Sequence, residues 1–228
     1  MFLESDSVER RARVHAALGD PARLRIVDAL TVADASPQEL ERLVGMPSNQ
    51  LAHHLKSLTD AGVVTRSRSE GDRRRTYVRL VPEAMPGLQV PPRVAVTRVV
   101  FVCTRNTARS QLAAALWHEH SAVPAASAGT SPATRVHPGA VAVARRHGLR
   151  LPPGSTAHVS DVVDADDLVI AVCDNAHESM ASGARRWHWS VPDPVAKDTD
   201  DAFEDAFADI SQRISQVAPL LVTASETS

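Results

Sequence analysis

The sequence predicts two domains, a mainly-α winged helix-turn-helix followed by an α/β doubly wound parallel sheet. Residues 1–82 carry helical periodicity and finish in two short strand-like runs. From residue 97 to 222, apolar β-branched runs alternate with helical stretches, the signature of strands paired in parallel. Between them, Pro82-Glu-Ala-Met-Pro86-Gly87-Leu-Gln-Val-Pro91-Pro92 has no period and reads as a semi-rigid linker, assigned to 83–96.

In the first domain, Asp20-Pro21 is an N-cap followed by proline at the first helical position, and opens a helix through Leu24, Ile26, Val27 and Leu30. Ser36-Pro37-Gln38-Glu39 has capping-box spacing and starts a short helix ending near Val44-Gly45. Ser48 is read as the cap of a third helix through Leu51, Leu55 and Leu58, with Gly62 as its stop. Val63–Ser67 and Thr76–Val81 then form a hairpin around Glu70-Gly71-Asp72.

In the second domain, Val96–Val102 is a buried-type strand and Ser110–His120 a helix. Ala125–Ala128 is a short strand, Ala140–His147 a helix stopped by Gly148, and Leu168–Val172 another buried strand. Asp201–Leu221 is a long amphipathic helix with Phe203, Phe207, Ile210, Ile214 and Val217 on one stripe. The small, polar tail, 223–228, is expected to fray.

Composition excludes several classes. The hydrophobic content of 43% and charged content of 23% are those of a soluble globular chain. No apolar run is long enough for a membrane span, and Met1-Phe2-Leu3-Glu4-Ser5-Asp6 is not a signal peptide, so a cytoplasmic location is expected. The net charge of −2 is unevenly spread: residues 1–82 hold 13 Lys+Arg against 11 Asp+Glu, and the remainder 12 against 16. Cys103 and Cys173 are the two cysteines, which suits chemistry or packing better than a structural disulfide.

The sharpest motif is Cys103-Thr-Arg-Asn-Thr-Ala-Arg109-Ser110, a Cys-x5-Arg loop between an expected strand and an expected helix. Such a loop aims several backbone N–H groups at one point, and the helix N-terminus adds partial positive charge. Thr104, Arg105, Asn106, Thr107, Ala108 and Arg109 would thus cradle a tetrahedral oxyanion. The same field favours the thiolate of a cysteine at the loop's start. Arg109 can grip two oxyanion oxygens, Ser110 can hydrogen-bond the thiolate, and Asn106 can brace the loop.

This stretch resembles the low-molecular-weight protein tyrosine phosphatase and thioredoxin-type arsenate reductase family, whose loop reads Cys-x-x-Asn-x-x-Arg-Ser. Ser127-Ala128-Gly129-Thr130 and Asp193-Pro194 resemble further segments of that family, and the likeness spans about residues 97–222. It implies that Cys103 attacks phosphorus or arsenic, that Arg109 and the loop amides stabilise the developing charge, and that Asp193 protonates the leaving oxygen. Gln111 follows Ser110, as in the reductases, and Val195-Ala196-Lys197 follows the Asp-Pro where phosphatases place tyrosines. Both favour a small oxyanion, arsenate or phosphate, over an aryl phosphate. Cys173 occupies the place of the family's first resolving cysteine, or is a small apolar strand residue. Glu178, Ser179 and Met180 stand where reductases coupled to thioredoxin carry another cysteine. The expected electron source is therefore an external thiol: a glutaredoxin-like protein, a mycothiol- or glutathione-type small thiol, or thioredoxin. No bound cofactor or metal is expected.

Ser48-Asn49-Gln50-Leu51-Ala52-His53-His54-Leu55-Lys56 would be a recognition helix. Its Ser48, Asn49, Gln50, His53, His54 and Lys56 are types that meet base edges or phosphates. The hairpin carries Arg66, Arg68, Arg73, Arg74 and Arg75, a basic wing suited to double-stranded DNA. Together with Ala17-Leu18-Gly19-Asp20-Pro21-Ala22-Arg23-Leu24, these residues resemble the ArsR-type repressors over about 8–81, which implies a homodimer on two half-sites. Ala35-Ser36-Pro37-Gln38-Glu39-Leu40 holds none of the cysteines that arsenite sensors of that type often carry. Three readings stay open: an arsenate reductase fused to a regulator, a regulator whose oxyanion domain is a sensor without useful turnover, and a phosphatase fused to a regulator.

Overall fold

The computed structural model describes residues 5–84, 94–151, 154, 156–180 and 185–224; most of the expected linker lies outside them. The chain divides into two compact units, each with its own core.

The first unit runs α1 (Ser5–Leu18), α2 (Pro21–Val32), α3 (Pro37–Val44), α4 (Ser48–Asp60), β1 (Val64–Arg68) and β2 (Thr76–Leu80). Local signals set the helix starts. Asp20 Oδ1 accepts from the backbone N–H groups of Ala22 and Arg23 at 2.9 and 3.0 Å. Ser36 and Glu39 form the reciprocal capping box, and Gly45 ends α3 with φ of 66°. For α4 the expectation is corrected: Pro47 is the N-cap, without a side-chain hydrogen bond, and Ser48 is the first helical residue.

Ile26, Val27, Leu40, Leu51, Leu55, Leu58 and Val63 are buried at one centre, where each large aliphatic side chain stabilises the unit by about 1.5–3 kcal/mol. The hairpin is antiparallel, with Val64 opposite Leu80 and Arg68 opposite Thr76. Val78 also exchanges backbone hydrogen bonds with Ala35, which ties the wing to the segment before α3. The helices α2, α3 and α4 and the winged hairpin thus follow in the expected order, and α1 is a further helix before them.

The second unit is a four-stranded parallel sheet in the order β5 (Ala125–Gly129), β4 (Val99–Cys103), β6 (Leu168–Ala171), β7 (Arg186–His188). Alongside run α5 (Arg109–His120), α6 (Pro138–Arg146), the short α7 (Val159–Val162), α8 (Asp174–Ser179) and α9 (Pro194–Lys197), and the long α10 (Asp200–Val217). Chain order leaves β4 for β5 on one side and returns to β6 on the other, so the sheet switches direction between β4 and β6. Open α/β sheets bind ligands in the crevice at the carboxyl ends of such strands. Cys103 ends β4, and Cys173 lies just past the end of β6.

Phe101 anchors the core between Trp117 and Trp189, with ring centroids at 5.7 and 5.8 Å. Gly139 packs where a Cβ would collide with the Phe203 ring, so α6 and α10 approach closely.

Three boundaries differ from expectation. The run Val96–Val102 is split at Thr97-Arg98, where the Arg98 guanidinium grips both carboxylate oxygens of Asp167 at 2.9 and 2.6 Å. The last three residues assigned to the linker, Val94–Val96, form β3 and pair in parallel with β8 (Leu221–Thr223). Their β-branched valines suit a strand, and this pairing orders the chain past Leu221. The long helix also stops earlier, at Val217, and Pro219 carries the chain through a 3₁₀ turn, Ala218–Leu220. No helix among the described residues is long and apolar enough to cross a membrane.

Candidate functional site

The loop after β4 is built by backbone hydrogen bonds from outside it. The carbonyls of Cys103, Thr104, Arg105 and Thr107 accept from Thr130, Ser131, Ala133 and His137 N–H groups at 2.8–3.1 Å. In a planar peptide the N–H points opposite to the C=O. Turning those carbonyls outward therefore turns the amides of Thr104, Arg105, Asn106 and Ala108 inward. The Asn106 N–H shows the result directly, donating to Cys103 Sγ at 3.1 Å. Such a ring of amides is an anion-binding concavity.

Asn106 holds the loop's turn. Its φ is 51°, a left-handed conformation that asparagine tolerates better than most residues. Its side-chain amide donates to Ser110 Oγ at 2.8 Å and Ser127 Oγ at 3.1 Å, and its carbonyl oxygen accepts from Gln111 Nε2 and the Ala157 N–H. Ser110 Oγ lies 3.1 Å from Cys103 Sγ. At Gly129 a Cβ would sit 2.9 Å from the Thr104 carbonyl oxygen and 3.0 Å from the Asn106 nitrogen. Glycine there lets β5 press directly against the loop. Ser127 and Gly129 lie in a segment that the sequence singles out and Gln111 directly follows the loop, but their bracing of Asn106 needs the fold to be seen.

Arg109 is the first residue of α5 and almost fully buried. Nη1 donates to the Val191 carbonyl at 2.9 Å, and Nη2 pairs with Asp193 Oδ2 at 3.0 Å. Burial works against its charge, but the neighbouring sulfurs of Cys173 and Cys103 and the Asp193 carboxylate outweigh it and raise its pKa above the usual arginine value. A permanently cationic fork thus lies beside both cysteines. Asp193 is the N-cap of α9, its other oxygen accepting from the Val195 N–H at 3.1 Å, which leaves it partly exposed at the rim.

Cys173 caps α8 and accepts from the Ala176 N–H at 3.4 Å. Its sulfur is 3.5 Å from Thr104 Oγ1, so the residue after Cys103 touches the second thiol. Burial pushes the Cys173 thiol up, while Arg109 pulls it down. The structure therefore gathers Cys103, Asn106, Arg109, Ser110, Cys173 and Asp193 in one crevice. Arg105 and Thr107 contribute through backbone, with the Arg105 side chain exposed.

In the first unit, Ser48, Asn49, Gln50, His53 and Lys56 are exposed on α4, as are Arg66, Arg68, Arg73, Arg74 and Arg75 on the hairpin. Lys56 is paired with Asp60 at 2.6 Å. His54 departs from the expectation: it is half-buried, with Nδ1 3.7 Å from Asp20 Oδ1, on the side of α4 that faces α2. Helical geometry explains it, since His54 neighbours Leu51 and Leu58 on the inward stripe.

A thiol opening a loop of inward amides, closed by a buried arginine and faced by an Asp-Pro turn, defines a thiol-based oxyanion-handling domain on a doubly wound sheet. Residues 98–226 match the model of the low molecular weight phosphotyrosine protein phosphatase family, and the chain belongs to that family. Residues 18–67 match a helix-turn-helix domain. The chain thus joins a winged helix-turn-helix domain to a low-molecular-weight phosphatase/arsenate reductase-like domain. An arsenate reductase of Brevibacillus brevis is 30% identical over 130 residues, 53% of this chain and 92% of that protein. Among solved structures, an arsenate reductase from Archaeoglobus fulgidus is 29% identical, with a TM-score of 0.48, over 53% of this chain and 98% of its own. The tyrosine phosphatase Wzb from Escherichia coli K30, solved with sulphate, is 20% identical with a TM-score of 0.50, over 54% and 97%.

Proposed function

We propose that the second unit reduces arsenate at the expense of an external thiol and that the first binds double-stranded DNA as a homodimer, in the cytoplasm. The observation that carries the reading is the pair of thiols at the ends of adjacent strands β4 and β6, bridged by Thr104 and lying beside Arg109. A phosphatase needs one thiol; a reductase needs a second to take over the bond. The relative from Brevibacillus brevis, named an arsenate reductase, supports the same choice.

In this scheme the Cys103 thiolate attacks arsenic, and Asp193 gives its proton to the oxygen that leaves as water. Arg109 and the loop amides hold the remaining oxygens. The Cys173 thiolate then attacks Cys103 Sγ. The S–As bond breaks, its electron pair goes to arsenic, and arsenite leaves behind a Cys103–Cys173 disulfide. An external thiol restores both cysteines.

The test is the purified chain with arsenate and a panel of thiol donors, beside p-nitrophenyl phosphate. Arsenite, measured by chromatography with mass detection, is expected to form faster than nitrophenol. The reverse ranking overturns the reductase reading in favour of a phosphatase. With both substrates inert, and an oxyanion shifting DNA affinity, the domain is a sensor.

The wing supplies a second prediction. If Arg73, Arg74 and Arg75 each neutralise a DNA phosphate, replacing any one by Ala lowers the slope of log affinity against log salt by about 0.9. Fluorescence anisotropy on operator and random duplexes reads it. An unchanged slope in all three variants removes the wing from the DNA interface.

A further inference from the structure

A buried acid–imidazole pair adjoins Cys173, and the catalytic scheme above does not use it. Asp174 and His188 are each 2% exposed, and His188 Nε2 lies 2.9 Å from Asp174 Oδ1. A carboxylate only accepts, so Nε2 carries the hydrogen. The His177 ring lies on the His188 ring, with centroids 4.1 Å apart and planes 14° apart. Burial works against the Asp174 charge, but the His188 hydrogen bond and further donors outweigh it and hold the carboxyl below the usual carboxylate range.

The pair joins two strand ends. Asp174 directly follows Cys173 and is the first residue of α8, while His188 ends β7. His188 stands opposite Ala171 of β6, and the Trp189 N–H donates to the Ala171 carbonyl at 2.8 Å. On the other flank, the Val172 N–H donates to the Val102 carbonyl at 2.7 Å. The carboxyl ends of β4, β6 and β7 thus carry Cys103, Cys173 and His188 side by side. Neighbouring strands run about 4.8 Å apart, inside the Cα spacing of roughly 4.4–6.8 Å that a disulfide tolerates.

We infer that the Asp174–His188 pair is a positioning device for the resolving thiol, pinning the start of α8 to β7 so that Cys173 Sγ can meet Cys103 Sγ once the arsenic adduct has formed. The inference rests on the arsenate reductase reading. Apolar side chains of matching volume often replace a buried ion pair without loss of stability, so packing alone does not call for these two residues. The contacts of the Cys173 sulfur itself are long, 3.4 Å to the Ala176 N–H and 3.5 Å to Thr104 Oγ1, and both must yield when Sγ turns to Cys103. The pair grips the next residue instead, and can stay in place through the step. In that step the Cys173 thiolate attacks Cys103 Sγ, the S–S bond forms, and the S–As bond breaks with its electron pair going to arsenic. The proton that Cys173 gave up leaves with arsenite. Losing the imidazole acts twice: it frees the start of α8, and it leaves a lone buried carboxylate whose charge opposes the Cys173 thiolate. The oxyanion loop is braced by other segments, so anion binding should be spared.

The reduced full chain, freed of donor, is given arsenate alone under rapid quench, and arsenite is counted per chain. The wild-type chain is expected to release one arsenite; no release sinks the reductase reading and this inference with it. His188→Leu is expected to slow the release by about a hundredfold, the cost of misplacing a reacting group by about an ångström. Its affinity for inorganic phosphate, by calorimetry, should match wild type. His188→Gln, whose amide N–H can stand in for Nε2–H, should restore most of the rate. Because a lone buried carboxylate can unfold a chain, the double variant Asp174→Ala, His188→Leu is measured beside it; it should melt near wild type and still release arsenite slowly. The equilibrium of the Cys103–Cys173 disulfide with dithiothreitol should shift toward the dithiol by about tenfold in the double variant, or about 30 mV. Given a wild-type burst, release at the wild-type rate by the double variant, a glutamine chain as slow as the leucine chain, phosphate affinity falling in step with the rate, or an unmoved disulfide equilibrium overturns the inference and leaves the reductase standing.

Discussion

Cys103→Ser is expected to lower arsenate reduction by roughly 10⁴-fold or more, to background, because it removes the atom that bonds to arsenic. A hydroxyl at that place keeps the hydrogen bonds that Asn106 N–H and Ser110 make to the sulfur, at 3.1 Å each, so the loop should stay folded. Arsenate affinity, measured by calorimetry, should change little, since the inward amides and Arg109 remain. Loss of turnover with retained binding is the signature of a missing nucleophile. Cys173→Ser is the contrasting case: Cys103 can still form its arsenic adduct, but no internal thiol breaks it, so the single-turnover arsenite of the wild-type chain should vanish. Undiminished reduction by the Cys103→Ser chain would remove Cys103 from the chemistry and return the crevice to simple anion binding.

Much of this site was legible in the sequence because its parts lie close together along the chain. Cys103 through Ser110 is one loop, and a strand before and a helix after suffice to predict inward amides. Asp20-Pro21 and the Ser36–Glu39 box likewise set helix starts that depend only on residues three or four apart. What could not be read depends on distant segments. Nothing local to Arg98 says that it will pair with Asp167, 69 residues on. Val94–Val96 looked like the end of a linker until β8, more than a hundred residues on, gave it a partner. The strand β7 holds only three residues, too few for a period to show. His54 is by type a DNA-reading residue, whereas its rotation about α4 sets it against Asp20. The contact between Thr104 and Cys173 is of the same kind: residues 69 apart in sequence meet because β4 and β6 are neighbours in the sheet.

Arg109 should prove nearly as intolerant as the nucleophile, and for a reason that charge alone does not cover. Its fork holds the Val191 carbonyl with one nitrogen and Asp193 with the other, while its burial beside two sulfurs makes it the nearest fixed cation to the reacting atoms. A lysine keeps the charge but has a single donor group at the end of a flexible stem, and cannot span two oxyanion oxygens in a fixed plane. Arg109→Lys is therefore expected to reduce kcat/KM for arsenate by about 10²–10³-fold, the loss typical of removing one preorganised transition-state donor. Arg109→Ala should do worse, since it also leaves Asp193 without its cation. Circular dichroism and the melting temperature of each variant separate a lost contact from a lost fold. Inorganic phosphate offers an independent reading: it should inhibit the wild-type chain competitively and the lysine variant far more weakly. A folded Arg109→Lys chain within threefold of wild type, with phosphate inhibition intact, would mean that the backbone amides alone carry the oxyanion and that the guanidinium serves the packing of the Val191–Asp193 turn.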